Sequence, residues 1–246
     1  RVPGYHVLKN RYTLPKKGFR QALGNINPDM VFTHTRFFAT SALAGRWAQQ
    51  NQKPWIHVEH GSNPVQTKNL LLKLNAELLD FTFGKWVCRQ AQGVVVLSSQ
   101  GADFVHQLGG ENQKIHLIPN GIKVPQKIVP APRMNRAIFL GRMIREKGVL
   151  EILQAAEKMP DWSFELVGSG PLFGIKTYPH VQWTPEIAPQ EVSAKIQSAD
   201  LVIAPSYSEG FALTVAEAAA NQRPVVATQH GIAPDLLSSP FIIPDK

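Results

Sequence analysis

Leu201-Val-Ile-Ala-Pro205, followed by Ser206-Tyr-Ser-Glu-Gly-Phe-Ala-Leu-Thr-Val-Ala-Glu217, decides how the rest of the chain is read. The first run is apolar without alternation, as a strand buried on both faces is. A short polar turn follows, then an Ala-rich helix running through Glu217 to about Asn221. Gly210 lets a ligand approach the backbone closely. The N–H groups of Phe211, Ala212 and Leu213 have no helical partner and face outward at the positive end of the helix dipole. That makes an anion site with an acid on each side, Glu209 in the turn and Glu217 in the helix. A phosphate sits naturally on the helix terminus, and each carboxylate can accept from a sugar hydroxyl.

The same strand–turn–helix alternation surrounds this stretch. Before it come the strand Ala137–Leu140, a helix from Val149 to Met159, the strands Ser163–Val167 and Val181–Trp183, and a helix from Pro189 to Ala199. After it come Pro224–Thr228, a short helix near Pro234 to Ser238, and Phe241–Ile243. The first half has strand candidates at Asp29–Thr35, Pro54–His60, Gly93–Leu97 and Lys114–Ile118. Helical patterns lie between them at Phe38–Gln52, Gln66–Gln92 and Gln100–Leu108, the last with Ser98-Ser99 placed to cap it. Residues 1–20 read as loop with a short helix. Prolines 125, 130 and 132 mark residues 125–135 as a linker. The expected organisation is therefore α/β, with Rossmann-like parallel-sheet domains at 1–124 and 136–246 facing each other across the linker. In such sheets ligands bind beyond the carboxyl ends of the strands.

Composition narrows the class. The 246 residues carry a net charge of +8, a single cysteine and no run of the ~20 apolar residues a spanning helix needs. One cysteine excludes a disulfide framework and fits a reducing cytosol. Residues 1–132 hold 16 Lys and Arg against 6 Asp and Glu, whereas residues 133–246 hold 10 against 12. The basic half suits anionic lipid head groups or an anionic acceptor. Nucleic acid is disfavoured, because no helix-turn-helix, zinc or RNP-like pattern accompanies the charge. The Lys- and Leu-bearing stretch 66–90 fits either a membrane surface or a helix packed in a core with a solvated face.

Other polar turns offer candidate site residues, each with a plainer reading beside it. Arg142 and Lys147, flanked by Gly141 and Gly148, would neutralise a diphosphate, or they belong to a solvated loop that also holds Arg145 and Glu146. Gly168-Ser-Gly170 departs from the dinucleotide fingerprint and reads as a tight turn, with or without a nucleotide against it. His60 stands at a strand end before Gly61-Ser62, where a ligand would be; His57 reads as structural, and His34 also lies near a strand end. No Asp-x-Asp, spaced His/Cys cluster, P-loop or G-x-S-x-G elbow is present, so metal-dependent and Ser-hydrolase chemistry have no visible ligands or nucleophile.

Four of these segments together resemble the retaining GT-B glycosyltransferases of family 4 (glycosyl transferases group 1). This family includes bacterial lipopolysaccharide, capsule and phosphatidylinositol-mannoside transferases. Glu209 to Glu217 match its E-x7-E motif and Gly141-Arg142 with Glu146-Lys147-Gly148 its G-R-x3-E-K-G segment. Val167-Gly-Ser-Gly-Pro171 and Pro119-Asn-Gly-Ile122 match in order as well. The resemblance runs from about Pro28 onward. It implies that Arg142 and Lys147 bind the donor diphosphate with help from the N–H groups of Phe211 to Leu213. Gly168, Gly170 and Gly210 would line the donor site, Glu217 would hold the ribose, Glu209 the transferred sugar, and His60 the sugar or the acceptor region.

The implied activity is a hexosyltransferase-type, metal-independent reaction without cofactor, in cell-surface polysaccharide synthesis. The donor would be a nucleotide-diphosphate sugar, with UDP or GDP favoured over ADP. The acceptor would be a glycan or a lipid-linked chain. The setting would be cytoplasmic, peripheral on the inner face of the membrane. Cations and the helix dipole would stabilise the departing nucleoside diphosphate. Retention implies front-face attack, the leaving phosphate taking the acceptor proton. Against the family pattern, about two or three leading strands, at ~30 residues per repeat, and the C-terminal crossover helices fall outside this chain. The stretch after Gly170 is also short, and Arg1 in place of an initiator Met points to a trimmed start. The first domain is thus expected to be incomplete. The rival function is a non-catalytic or partner-dependent nucleotide-sugar-binding module. A GT-B epimerase or phosphorylase is a third.

Overall fold

Val31, Thr33, Trp55, His57 and Glu59 alternate with more exposed neighbours, so two strands of the first half each bury one face. The computed structural model describes residues 4–7, 12–15, 18–64, 70–237 and 242–243. It divides between Pro119 and Asn120 into two units.

The first unit opens with an antiparallel hairpin, β1 (Gly4–Val7) and β2 (Tyr12–Pro15), where the sequence suggests loop. Tyr12-Thr-Leu supplies the β-branched and aromatic residues a short strand favours, too few to show a period. After α1 (Phe19–Ile26), β3 (Val31–His34) leads into α2 (Ala39–Gln50) and β4 (Trp55–Glu59). The expected long helix is broken into α3 (Leu70–Leu79), a π-turn at Asp80–Gly84 and α4 (Lys85–Gln90); residues 65–69 lie outside the described residues. β5 (Gly93–Val96), α5 (Ser99–Gln107) and β6 (Ile115–Leu117) complete the unit. Ser98 does cap α5, its hydroxyl accepting from the Gly101 N–H at 3.2 Å. The four strands β3-β4-β5-β6 form a parallel sheet in chain order. Trp47, Trp55, Val87, Val94, Phe104 and Val105 pack in its core.

The second unit runs β7 (Arg136–Leu140), α6 (Val149–Lys158), β8 (Ser163–Val167), β9 (Val181–Thr184), α7 (Val192–Gln197) and β10 (Leu201–Ala204). Then come α8 (Leu213–Ala220), β11 (Val225–Thr228), α9 (Ala233–Leu236) and β12 (Ile242–Ile243). Val149, Ile152, Leu153 and Ala156 give α6 the i, i+3, i+4, i+7 stripe that buries it on the sheet. The six parallel strands lie in the order β12-β11-β10-β7-β8-β9. The order reverses between β7 and β10, and the crevice at such a switch point is where doubly wound sheets bind ligands.

The proline-bearing stretch before β7 is fastened to this second unit. Gln197 bonds the Lys127 carbonyl and the Val129 N–H at 3.0 and 3.2 Å. Arg223 donates to the carbonyls of Val129 and Pro130, and the Asp200 carboxylate accepts from the N–H groups of Arg133, Met134 and Arg136.

Candidate functional site

The turns after β7 and β10 meet at the switch point. After β7, Arg145–Lys147 forms a 3-10 turn closed by Gly148 at φ 71°, where a Cβ would lie 2.2 Å from the Pro205 carbonyl oxygen. Only glycine lets these two turns touch. Tyr207 N–H donates to the Glu146 carbonyl at 2.9 Å, and Tyr207 O–H to Glu151 at 2.6 Å. Lys147 Nζ donates to Glu209 Oε1, the same oxygen that accepts from the Ser206 hydroxyl at 2.7 Å. Two residues 62 apart in sequence thus form an ion pair at the mouth of the switch point.

α8 begins at Leu213, so the N–H groups of Leu213 and Thr214 lead its first turn. This corrects the start expected from the sequence, where Phe211 is already in the helix. Ala212 is instead the N-cap, in the left-handed region at φ 62°, ψ 64°. Phe211 is buried, and its carbonyl accepts from the Ile232 N–H at 2.8 Å. Gly210 lies in the turn between Glu209 and this corner.

A cleft of about 380 Å³ opens beside the helix terminus, a volume within the range of small-molecule sites. Arg142, Gly168, Ser169, Glu186, Leu213, Thr214 and Glu217 are in its walls. The Arg142 guanidinium is exposed and has no side-chain partner among the described residues. Burial pushes the Glu217 carboxyl above its ordinary value. Gly168 is extreme: at φ 145° a Cβ there would sit 1.9 Å from the Gly141 carbonyl oxygen, so the β8 turn lies directly on the β7 turn. The Met143 N–H donates to the Ser169 carbonyl at 2.8 Å, and Gly170 packs against the Met143 backbone. The glycines of Gly168-Ser-Gly170 therefore join two loops, and the cleft lies over that joint. Glu186 and Ile187 form the wall on the β9 side, while the Trp183 indole donates to the Lys176 carbonyl at 3.1 Å. Lys147 and Glu209 are not among the wall residues.

In the first unit His60 stands at the end of β4, its Nε2 3.0 Å from His34 Nδ1 and the two rings stacked at 5.3 Å. Behind them lies a buried network. Arg36 donates side-on to Asp80, at 2.5 and 3.3 Å, and through Nη1 to Glu59 Oε1 at 2.9 Å. Glu59 also accepts from the N–H groups of Arg36 and Gly61 and from His57 Nε2. Burial alone would raise the Glu59 carboxyl, but the His57 hydrogen bond and the Arg36 charge hold it below its ordinary value. His57 is fully buried, as its structural reading implies. The network itself has no sequence signal, because its partners lie 23 and 44 residues apart. Among the described residues no group of three or more His, Cys, Asp or Glu is arranged to hold a metal ion.

Comparison with known proteins agrees with this geometry. Residues 135–245 match the family model "Glycosyl transferases group 1", and residues 1–125 match "Glycosyltransferase Family 4". The chain is 36% identical over 225 residues to the putative teichuronic acid biosynthesis glycosyltransferase TuaC of Bacillus subtilis, covering 84% of this chain and 54% of TuaC. It is 28% identical over 236 residues to a D-inositol 3-phosphate glycosyltransferase of Pseudarthrobacter chlorophenolicus, covering 82% and 55%. It thus spans about half the length of these curated relatives. Among solved structures, Anabaena Alr3699/HepE in complex with UDP superposes with a TM-score of 0.67 at 19% identity, covering 89% of this chain and 65% of that one.

Proposed function

Since this chain belongs to glycosyltransferase family 4 and has its GT-B fold class, we propose that it moves a sugar from a nucleotide-diphosphate donor to a glycan or lipid-linked acceptor in cell-surface polysaccharide synthesis. The observation that carries the reading is the convergence, at the switch point, of the α8 N-terminus, the unpaired Arg142 and the Glu217 carboxyl on one nucleotide-sized cleft. Arg142 and the helix N–H groups receive the diphosphate, and Lys147 stabilises the same charge as it leaves. Glu217 accepts from the ribose hydroxyls. Glu209, already held by Ser206 and Lys147, orients the transferred sugar, with Gly210, Phe211 and Ala212 forming the corner beneath it. His60 belongs to the sugar or acceptor region. The reaction retains anomeric configuration and uses no metal, the positive groups doing what a divalent cation would do.

UDP is the first nucleotide to test, because HepE, which shares the fold, was solved with it. GDP is the second. A thermal-shift panel of UDP-, GDP- and ADP-sugars is the direct test, since a ligand that binds the native state raises its stability by mass action. No response to any of them would overturn the reading. Binding without turnover in the presence of acceptor would favour the binding-module alternative.

An anionic membrane surface is the proposed setting for the acceptor. Leu70, Leu71, Leu74, Leu78, Phe81 and Phe83 are exposed along α3 and the π-turn, beside Lys73 and Lys85. Exposed apolar residues interleaved with cations suit an interfacial helix. No helix of the described residues is long and apolar enough to cross a membrane. Co-sedimentation with phosphatidylglycerol vesicles, and not with neutral ones, is the expected outcome.

A further inference from the structure

His34 is the last residue of β3, and His60 is the first after β4. The strands are parallel neighbours with His34 paired to Val58, so both side chains leave the sheet at the same end. Both are exposed, yet their rings stack and share a hydrogen bond of 3.0 Å.

Counting protons limits what this pair can be. A hydrogen bond between two imidazole nitrogens holds one proton, so one ring donates and the other accepts. If His34 Nδ1 donates, His60 must carry its own proton on Nδ1, and His34 Nε2 is left as an acceptor. If His60 Nε2 donates, the outward roles are exchanged. Either way the neutral pair offers one donor and one acceptor, at nitrogens with no partner among the described residues. A phosphate or carboxylate oxygen could use only the donor, and an ammonium only the acceptor. A hydroxyl uses both.

The surroundings favour a neutral His60 and hold the pair in place. Partial burial and the facing His34, with His57 beyond it, hold the His60 pKa below its ordinary value against the opposing pull of Glu59. Below the pair, Glu59 is filled by four donors, one of them the Gly61 N–H at 2.7 Å that sets the turn after His60. A Cβ at Gly61 would come within 2.8 Å of Arg36 Nη1, so the turn rests directly on the guanidinium. On the other strand, β-branched Thr35 is held at φ 61°, an uncommon conformation that directs Arg36 back under the sheet end. Ser41 Oγ fixes the His34 carbonyl at 2.7 Å. A fully satisfied buried network of this kind makes a rigid base.

We propose that His34 and His60 act as one hydroxyl-binding unit at the carboxyl ends of β3 and β4, seated on the Arg36–Glu59–Asp80 network, and that its ligand is a sugar hydroxyl. The ligand class rests on the glycosyl-transfer reading; the pairing rests on the geometry alone. His34 is thereby a binding residue and Arg36 a positioning one.

The test is ring ¹⁵N spectroscopy of the whole chain, titrated with the methyl α-glycosides of glucose, galactose and mannose. The wild type is expected to show His60 titrating below 6.5, and at least one glycoside should move the His60 ring nitrogens. His34→Phe keeps a stacking ring without nitrogens. It should weaken the response by about tenfold, the worth of one or two hydrogen bonds, and let His60 titrate at higher pH. His34→Gln, which keeps a hydrogen-bonding group, should retain the response. A wild type that answers none of the three glycosides, or a His34→Phe chain that answers as the wild type does, overturns the proposal. The nucleotide-sugar thermal-shift panel is a separate readout, so failure of the donor reading would be seen there and not here.

Discussion

Lys147 and Glu209, 62 residues apart, form an ion pair that ties the turn after β7 to the turn after β10. Both side chains are about one-fifth exposed, so the pair is screened less than a surface bridge and desolvated less than a core one. Lys147→Met is expected to cost about 1–2 kcal/mol, between the values for exposed and buried pairs, as read by urea denaturation. Its effect on transfer should be larger, on the order of a hundredfold or more in kcat/KM, because a charge that stabilises the leaving diphosphate acts in the transition state. Glu209→Gln should keep the Ser206 hydrogen bond and fold normally while losing transfer. Equal turnover in either variant would remove these residues from the reaction.

Arg36 presents a different balance. Its guanidinium is 2% exposed and serves two carboxylates, Glu59 and Asp80. Arg36→Met leaves both acids buried without their cation and should cost about 3–5 kcal/mol. The pH dependence follows from Glu59, whose folded pKa lies below its ordinary value of 4.5. The unfolded chain therefore binds the proton first as pH falls. The contribution of Glu59 is complete above about 4.5 and is lost as pH drops through the lower, folded value. Denaturation midpoints between pH 6 and 3 should show this slope, and Glu59→Gln should flatten it. A wild-type slope that survives in Glu59→Gln would assign it to another group.

How much of this was legible in the sequence depends on the range of the interaction. The strand Ser163–Val167 is read to the residue because an apolar run between turn residues is a local signal. The cleft is legible because its parts are local motifs: Arg142 and Gly168 stand in turns after strands that the pattern marks, and Glu217 in the helix after another. The position of Ala212 is not, since the left-handed corner is imposed by Ile232 holding the Phe211 carbonyl. The His34–His60 pair and the Arg36 network were invisible for the same reason. Thr33, His57 and Trp55 look like ordinary strand residues until the sheet register sets the Thr33 hydroxyl between His57 and Trp55, at 2.9 and 2.8 Å. The hairpin at the start of the chain is hidden because Pro3, Gly4, Pro15 and Gly18 punctuate its stretch with loop signals.

Glu217 should trade stability for binding. Burial raises its carboxyl above 4.5, so the folded chain holds that proton to higher pH than the unfolded one does. Stability linked to this group is complete below 4.5 and is lost as pH rises through the folded value. Glu217→Gln is expected to raise the melting temperature at pH 7 and to remove that slope. Nucleotide affinity by calorimetry should fall about tenfold or more, as a charged acceptor to a ribose hydroxyl becomes neutral. A variant that is more stable and binds as tightly would place Glu217 outside the ribose site.

Ala212 carries the last prediction. An L-residue in the left-handed region is strained by about 1–2 kcal/mol, whereas glycine adopts it without a Cβ penalty. Glycine also gains freedom in the unfolded chain, which offsets part of the relief, so Ala212→Gly should stabilise by roughly 0.5–1 kcal/mol. For a chain of this size that is a rise of about 1–4 °C in melting temperature. The same corner starts the helix whose first N–H groups belong to Leu213 and Thr214, both in the cleft wall. A more pliant corner should leave them less well aimed, weakening diphosphate binding by a few-fold while the fold gains stability. Strain kept at a site that glycine would relieve is what a binding role predicts. If Ala212→Gly binds nucleotide as well as the wild type, the corner serves packing against Gly231 and Ile232 alone.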